Sequence, residues 1–132
     1  MLSALNGFSE RPRIVIADED PEIVQFVVQT LRKDGNAVFP AYDALSAVQL
    51  ATALDRCDLL MSNTRVEGMP GIELIRELRA RMPLLPIMYI ANIGRTTAEL
   101  EAQLPAGMPI IREPFTVEEL RDAVRPFLSV RQ

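Results

Sequence analysis

Four side chains in this sequence have the chemistry to build a polar site, and they lie far apart along the chain. Asp18 and Glu19 form an acidic pair, Asn63 follows a short apolar run, and Glu113 stands just before Pro114. Carboxylate oxygens suit hard cations such as Mg²⁺. An asparagine amide is neutral and does not titrate, so Asn63 is a poor centre for reaction. Gathered together, Asp18, Glu19 and Glu113 would be three carboxylates with no lysine among them. Like charges that close raise one another's pKa unless something compensates. Arg65, Arg95 or Arg112 could swing in, or a divalent cation could bind. The chain has no histidine at all. That excludes metal sites of the His/Cys type and any Ser-His or Cys-His nucleophile.

The elements that must position these residues can be read from pattern. Arg13–Ala17 is a β-branched strand ending at Asp18-Glu19-Asp20-Pro21. Asp20 is an N-cap with Pro21 at N1, and apolar residues at 23, 24, 27, 28 and 31 give a helix that Asp34-Gly35-Asn36 stops. Ala37–Ala41 is a second strand. Asp43 caps a helix reaching about Leu54, with Leu45, Val48, Leu50 and Leu54 inward. Asp58–Ser62 is a buried strand that delivers Asn63 to its carboxyl end, and a loop then closes on Gly68 and Gly71. Gly71–Met82 is a third helix and Ile87–Ile90 a fourth strand, ending at Ala91-Asn92. A short helix spans Thr96–Leu104, a fifth strand Pro109–Arg112. The capping box Thr116–Glu119 opens a last helix that buries Val117, Leu120, Val124 and Phe127 or Leu128. This fivefold strand–helix alternation predicts an α/β fold with a doubly wound five-stranded parallel sheet, in the order 2-1-3-4-5. Ligands in such sheets sit at the carboxyl ends of strands, where all four polar residues fall.

Composition bounds the rest. The 132 residues suit one domain, with residues 1–10 as a loose tail and 11–132 as the folded part. A 48% hydrophobic and 24% charged composition is enough for a real core. The net charge of −4 and scattered arginines do not favour a nucleic-acid backbone or an anionic membrane. No run reaches the ~18 apolar residues of a membrane span, and Met1–Glu10 lacks the features of a signal peptide. The expected location is cytoplasmic. Cys57, the lone cysteine, excludes an internal disulfide and reads as a small apolar filler. A helix ending near Leu128 leaves no room for an output domain, so the chain is expected to be free-standing or part of a longer one.

Three motifs stand in order at matched spacing: Ile-Val-Ile-Ala-Asp-Glu-Asp-Pro at 14–21, Gly68-Met69-Pro70-Gly71, and Glu113-Pro114-Phe115. In these the sequence resembles the receiver domain of bacterial two-component response regulators, from roughly Arg13 to Leu128. The resemblance implies a flavodoxin-like fold. It also implies phosphoryl transfer from a kinase histidine to an aspartate, with Mg²⁺ held by an acidic pair. A hydroxyl after the fourth strand and a lysine after the fifth, followed by a cis proline, complete the family's site. Carried over residue by residue, the acidic pair survives as Asp18 and Glu19. The acceptor position holds Asn63, the hydroxyl position Ala91, and the lysine position Glu113. Pro114 is the cis-proline candidate, and Ile110 takes the aromatic switch position of the fifth strand.

These departures point to a degenerate receiver, or pseudo-receiver: a signalling module within two-component phosphorelay that is not an enzyme and is not phosphorylated at the usual site. No cofactor is expected, since Mg²⁺ would keep only Asp18 and Glu19 as anionic ligands. The resemblance implies contact with a protein partner, or self-association, through the side of helix 4, strand 5 and helix 5. Two other readings stay open. One is phosphorylation by an irregular route, with Ser62 or Thr64 as substitute acceptor. The other is a sensor whose acidic crevice takes a cation or small ligand. Plainer readings exist for single residues. Asp18-Glu19 could be solvated acids at a helix start, Asn63 an Asx-type turn, and Ile110 and Phe115 core.

Overall fold

The computed structural model describes residues 11–63, 65–92 and 97–128. The expected tail over residues 1–10, and the calls on Thr64, Arg95 and Thr96, lie outside them. Among the described residues seven strands and five helices follow in chain order: β1 (Arg13–Ala17), α1 (Pro21–Lys33), β2 (Ala37–Ala41), α2 (Ala44–Ala53), β3 (Leu59–Asn63), β4 (Arg65–Val66), β5 (Met69–Pro70), α3 (Gly71–Arg81), β6 (Ile87–Ala91), α4 (Ala98–Ala102), β7 (Ile110–Arg112) and α5 (Val117–Leu128). The main sheet has the order β2-β1-β3-β6-β7, and every pair in it is parallel. This is the doubly wound sheet that the strand–helix alternation predicts.

Side chains alternate across that sheet and divide the core in two. Val15, Leu60 and Tyr89 face α2, α3 and α4. Ile14, Ile16, Leu59, Met61, Met88 and Ile90 face α1 and α5. β3 and β6 are buried along their whole length, as strands covered on both faces must be. Among the described residues no helix is long and apolar enough to cross a membrane.

Three local expectations are corrected. β3 begins and ends one residue later than the apolar run suggests, so Asn63 is itself a strand residue, opposite Ile90. Asp58 is spent outside the strand, where its carboxylate accepts the Arg13 N–H at 2.8 Å and the Arg56 Nε–H at 3.3 Å. In α2 the inward stripe is Ala44, Ala47 and Ala51, which turns Leu45 outward to 67% exposure. Small side chains let this helix lie close on the sheet, and the helical period fixes the rest. The expected loop after Asn63 is partly a hairpin: β4 and β5 pair antiparallel around Glu67-Gly68. Gly68 there has φ +95°, a left-handed conformation that favours glycine. The Glu67 carbonyl accepts the Ala44 N–H at 2.8 Å, tying the hairpin to the start of α2.

The caps follow the sequence. Asp20 and Asp43 cap α1 and α2, and Thr116 and Glu119 bond each other's N–H at 3.0 and 2.8 Å. α4 is shorter than expected and is capped by Thr97. Leu78 of α3 is fully buried, whereas Leu84 is 93% exposed. Leu78→Ala is therefore expected to lower stability in urea denaturation by about 2–5 kcal/mol. Leu84→Ala is expected to change it by less than about 0.5 kcal/mol.

Candidate functional site

The carboxyl ends of β1, β3, β6 and β7 meet at one edge of the sheet. Parallel pairing in register makes this unavoidable, because β3 ends in Asn63 and the other three strands are each followed directly by a polar residue. Asp18 leaves β1 with its N–H bonded to the Ala41 carbonyl at 3.0 Å, and it is almost wholly buried. Glu113 leaves β7 with its N–H bonded to the Ala91 carbonyl at 2.9 Å. The Glu113–Pro114 peptide is cis.

Asn63 joins these two acids. Its Nδ2 donates to Asp18 Oδ2 at 2.5 Å and to Glu113 Oε2 at 2.9 Å. The amide nitrogen faces both carboxyl groups as donor, and the amide oxygen faces away. That oxygen accepts the Arg65 N–H at 3.4 Å, the geometry of an Asx-type turn at long range. Asn92 Nδ2 also donates to Glu113 Oε2, at 2.9 Å. The second Asp18 oxygen accepts the Asp20 N–H at 2.9 Å.

Of the sequence candidates, the structure brings together Asp18, Asn63 and Glu113, with Ala91 buried beside them. Glu19 is not joined to this group. It is exposed at the rim and lies 3.9 Å from the Arg65 guanidinium, a loose surface pair. Arg112 does not swing in either. It makes a two-pronged bond to Glu101 at 2.6 and 2.8 Å. Ser62 is buried and its Oγ bonds the Asn63 carbonyl at 3.3 Å. Asn92 is a site residue that sequence reasoning passed over. Its signal was its place directly after β6, beside Ala91. The pocket lined by Asp18, Glu19, Asp20, Asn63, Arg65 and Asn92 has a volume of about 270 Å³.

Mg²⁺ needs a near-octahedral set of oxygens. Here the Asn63 N–H groups occupy the facing sides of Asp18 and Glu113, and Glu19 is turned to Arg65. Among the described residues no group of three acidic, His or Cys side chains is placed to hold a metal. The residues therefore do not fit a resident Mg²⁺, nor a larger cation shared by Asp18, Glu19 and Glu113.

Burial raises the Asp18 carboxyl from its ordinary 3.8 to about 7. The Asp20 N–H and the Asn63 amide oppose that rise, while the Glu113 and Asp20 charges add to it. The folded protein thus holds this proton more tightly than the unfolded chain. Stability from Asp18 is fully present below pH 3.8 and is lost as the pH rises to about 7. Asp18→Asn, with a side-chain oxygen still able to accept from Asn63, is expected to flatten that part of the stability profile. Thermal melts of both proteins across this pH range measure it.

The same edge and the same order of elements occur in known proteins. The signal receiver domain of an HD domain-containing protein from Pseudomonas fluorescens superposes with a TM-score of 0.81 at 24% identity, covering 92% of this chain and 90% of that one. A response regulator receiver protein from Sinorhizobium medicae gives 0.78 at 23% identity, covering 93% and 98%. Among curated sequences, the C4-dicarboxylate transport transcriptional regulatory protein DctD of Pseudomonas aeruginosa is 28% identical over 99% of this chain, which spans only 28% of that protein. Sporulation initiation phosphotransferase F of Bacillus subtilis is 24% identical over 90% of this chain, which spans 95% of it. The profile of the family described as Response regulator receiver domain matches residues 14–125. That span runs from the first strand, through every element that carries the site, into the last helix, and the chain belongs to the response regulator receiver domain family.

Proposed function

We propose that this receiver acts through protein contacts without being phosphorylated at residue 63. The observation that supports the reading is the Asn63 amide, set between Asp18 and Glu113 with both as acceptors. Phosphoryl transfer to a side chain needs an anionic nucleophile and positive charge around the transferred group. Asn63 offers a neutral oxygen already turned to the Arg65 N–H. Glu113 offers a negative charge where a positive one is needed, and Ala91 has no hydroxyl to bond a phosphoryl oxygen. The irregular route has little to use. Ser62 is buried and bonded to the backbone.

The module is then a signalling part and not an enzyme. The contact side implied by the resemblance is α4, β7 and α5. Two features support it: half-buried Ile110 lies in β7, and the Arg112–Glu101 pair fastens β7 to α4 at the surface. The net charge of −4 supports a protein partner over nucleic acid.

The test is phosphorylated mass fraction with acetyl phosphate and Mg²⁺. The natural chain is expected to stay unlabelled. Asn63→Asp alone should label poorly, because Glu113 still faces the incoming phosphoryl. Two unit charges ~4 Å apart interact by roughly 4 kcal/mol at an effective dielectric of 20, and each ~1.4 kcal/mol is a factor of ten in rate. Asn63→Asp with Glu113→Lys should label much better. Adding Ala91→Thr should be needed before labelling alters amide exchange over α4. Labelling of the natural chain at any pocket residue overturns the reading.

A further inference from the structure

The geometry points to α3 as the contact helix of a two-fold dimer, in which it lies antiparallel to α3 of a second copy and each copy's Leu84 enters the other's β4–β5 cleft. This holds whether or not residue 63 is phosphorylated. Leu84 follows α3 in a turn between Pro83 and Pro86 and is 93% exposed. The turn is held in place. Arg79 Nη1 donates to the Pro83 and Leu85 carbonyls at 2.9 and 3.0 Å, and the Leu85 N–H bonds the Met82 carbonyl at 3.0 Å. A large apolar side chain set in water on a fixed turn can dock with little backbone entropy left to lose.

The socket for it lies at the other end of α3. A cleft of about 530 Å³ has Val66, Met69 and Pro70 as its apolar lining and Glu19, Arg65 and Glu67 as its charged lining. Glu19 and Arg65 answer each other at 3.9 Å, so Glu67 leaves the cleft negative. The turn end is positive, because Arg79 donates to neutral carbonyls and keeps its charge. Knob and socket match in polarity and in charge. They stand at opposite ends of an 11-residue helix about 16 Å long, so one chain cannot satisfy its own.

The outer face of α3 sets the direction of the second copy. Glu73, Arg76, Glu77 and Arg81 follow along it with alternating sign. Glu77 and Arg81 pair at 2.7 Å, and Arg76 keeps its charge in a 3.4 Å bond to the Gln103 carbonyl. Turned end for end, this row meets its own complement: Arg76 faces the second copy's Glu77, and Glu73 comes beside its Arg81. Leu84 lies seven residues after Glu77, and Met69 seven before Arg76. The same register therefore sets Leu84 opposite the second copy's Met69, and Pro83 opposite its Pro70. A parallel arrangement would set like charges together. An acid in the first turn and bases in the last are expected from the helix dipole alone. The central Arg76-Glu77 order and the apolar knob and socket are not. In a two-fold contact each of these matches is made twice. The cleft shares Glu19 and Arg65 with the pocket of the candidate site, so the second copy lies against that rim.

Sedimentation equilibrium of the whole chain tests this. A concentration-dependent dimer that grows no further and weakens with added salt is expected. Leu84→Ser should weaken it at least about tenfold, because the buried leucine is lost twice. Leu84, Arg76 and Glu77 all lie outside the core, so circular dichroism should show unchanged folding. Arg76→Glu sets acid against acid at the axis, and Glu77→Arg sets base against base, so each variant alone should be monomeric. Mixed in equal amounts, the two should dimerise as the natural chain does, because each acid at the axis then meets a base. A chain that stays monomeric into the millimolar range overturns the inference. So does a dimer indifferent to Leu84→Ser, an assembly that grows past the dimer, or a mixture of the two charge variants no more associated than either alone.

Discussion

One amide holds the functional edge of this domain together. The ends of β1 and β7 each present a carboxylate to the end of β3, and Asn63 answers both with one nitrogen. Two carboxylates brought this close under partial burial are costly unless something donates to them. Asn63 does so without adding charge. One backbone N–H and one further amide repeat the same logic. The Asp20 N–H takes the other Asp18 oxygen, and Asn92 adds a further donor to Glu113. Neutral donors hold both acids in place.

Residues 63 and 113 therefore read as one unit. A lysine at 113 would set a donor against the Asn63 N–H groups, which are also donors. A carboxylate at 63 would set an acceptor against Glu113 and Asp18. Each residue suits the other, and either exchanged alone leaves like facing like. The pair is held by hydrogen bonds from a neutral amide. It leaves more negative charge at the edge, part of which burial meets by keeping a proton near Asp18 up to about pH 7.

Much of this was legible in the sequence. Alternation of apolar strands and amphipathic helices yields the sheet order, and the caps at Asp20, Asp43 and Thr116 mark helix starts within a residue. Asn63 and Glu113 stand out because they lie at the carboxyl ends of apolar runs. What was illegible depends on partners distant in sequence. The register of β3 turns on Asp58 being recruited by Arg13, which no local pattern encodes. Leu45 reads as core until the close approach of α2 selects the alanine stripe instead. The hairpin of β4 and β5 has strands too short for any periodicity to show. Asn92 resembles any polar residue at the end of a strand, and only Glu113 gives it a role.

α4 has no buried residue and only five residues in helical form. A helix that short does not persist on its own merits. What retains it is Leu100, half-buried against the core, with the Thr97 cap and the ion pair from Arg112, the last residue of β7. This stretch of the rim is thus fastened to the fold by an end cap, a surface ion pair and Leu100 rather than by a buried helical stripe.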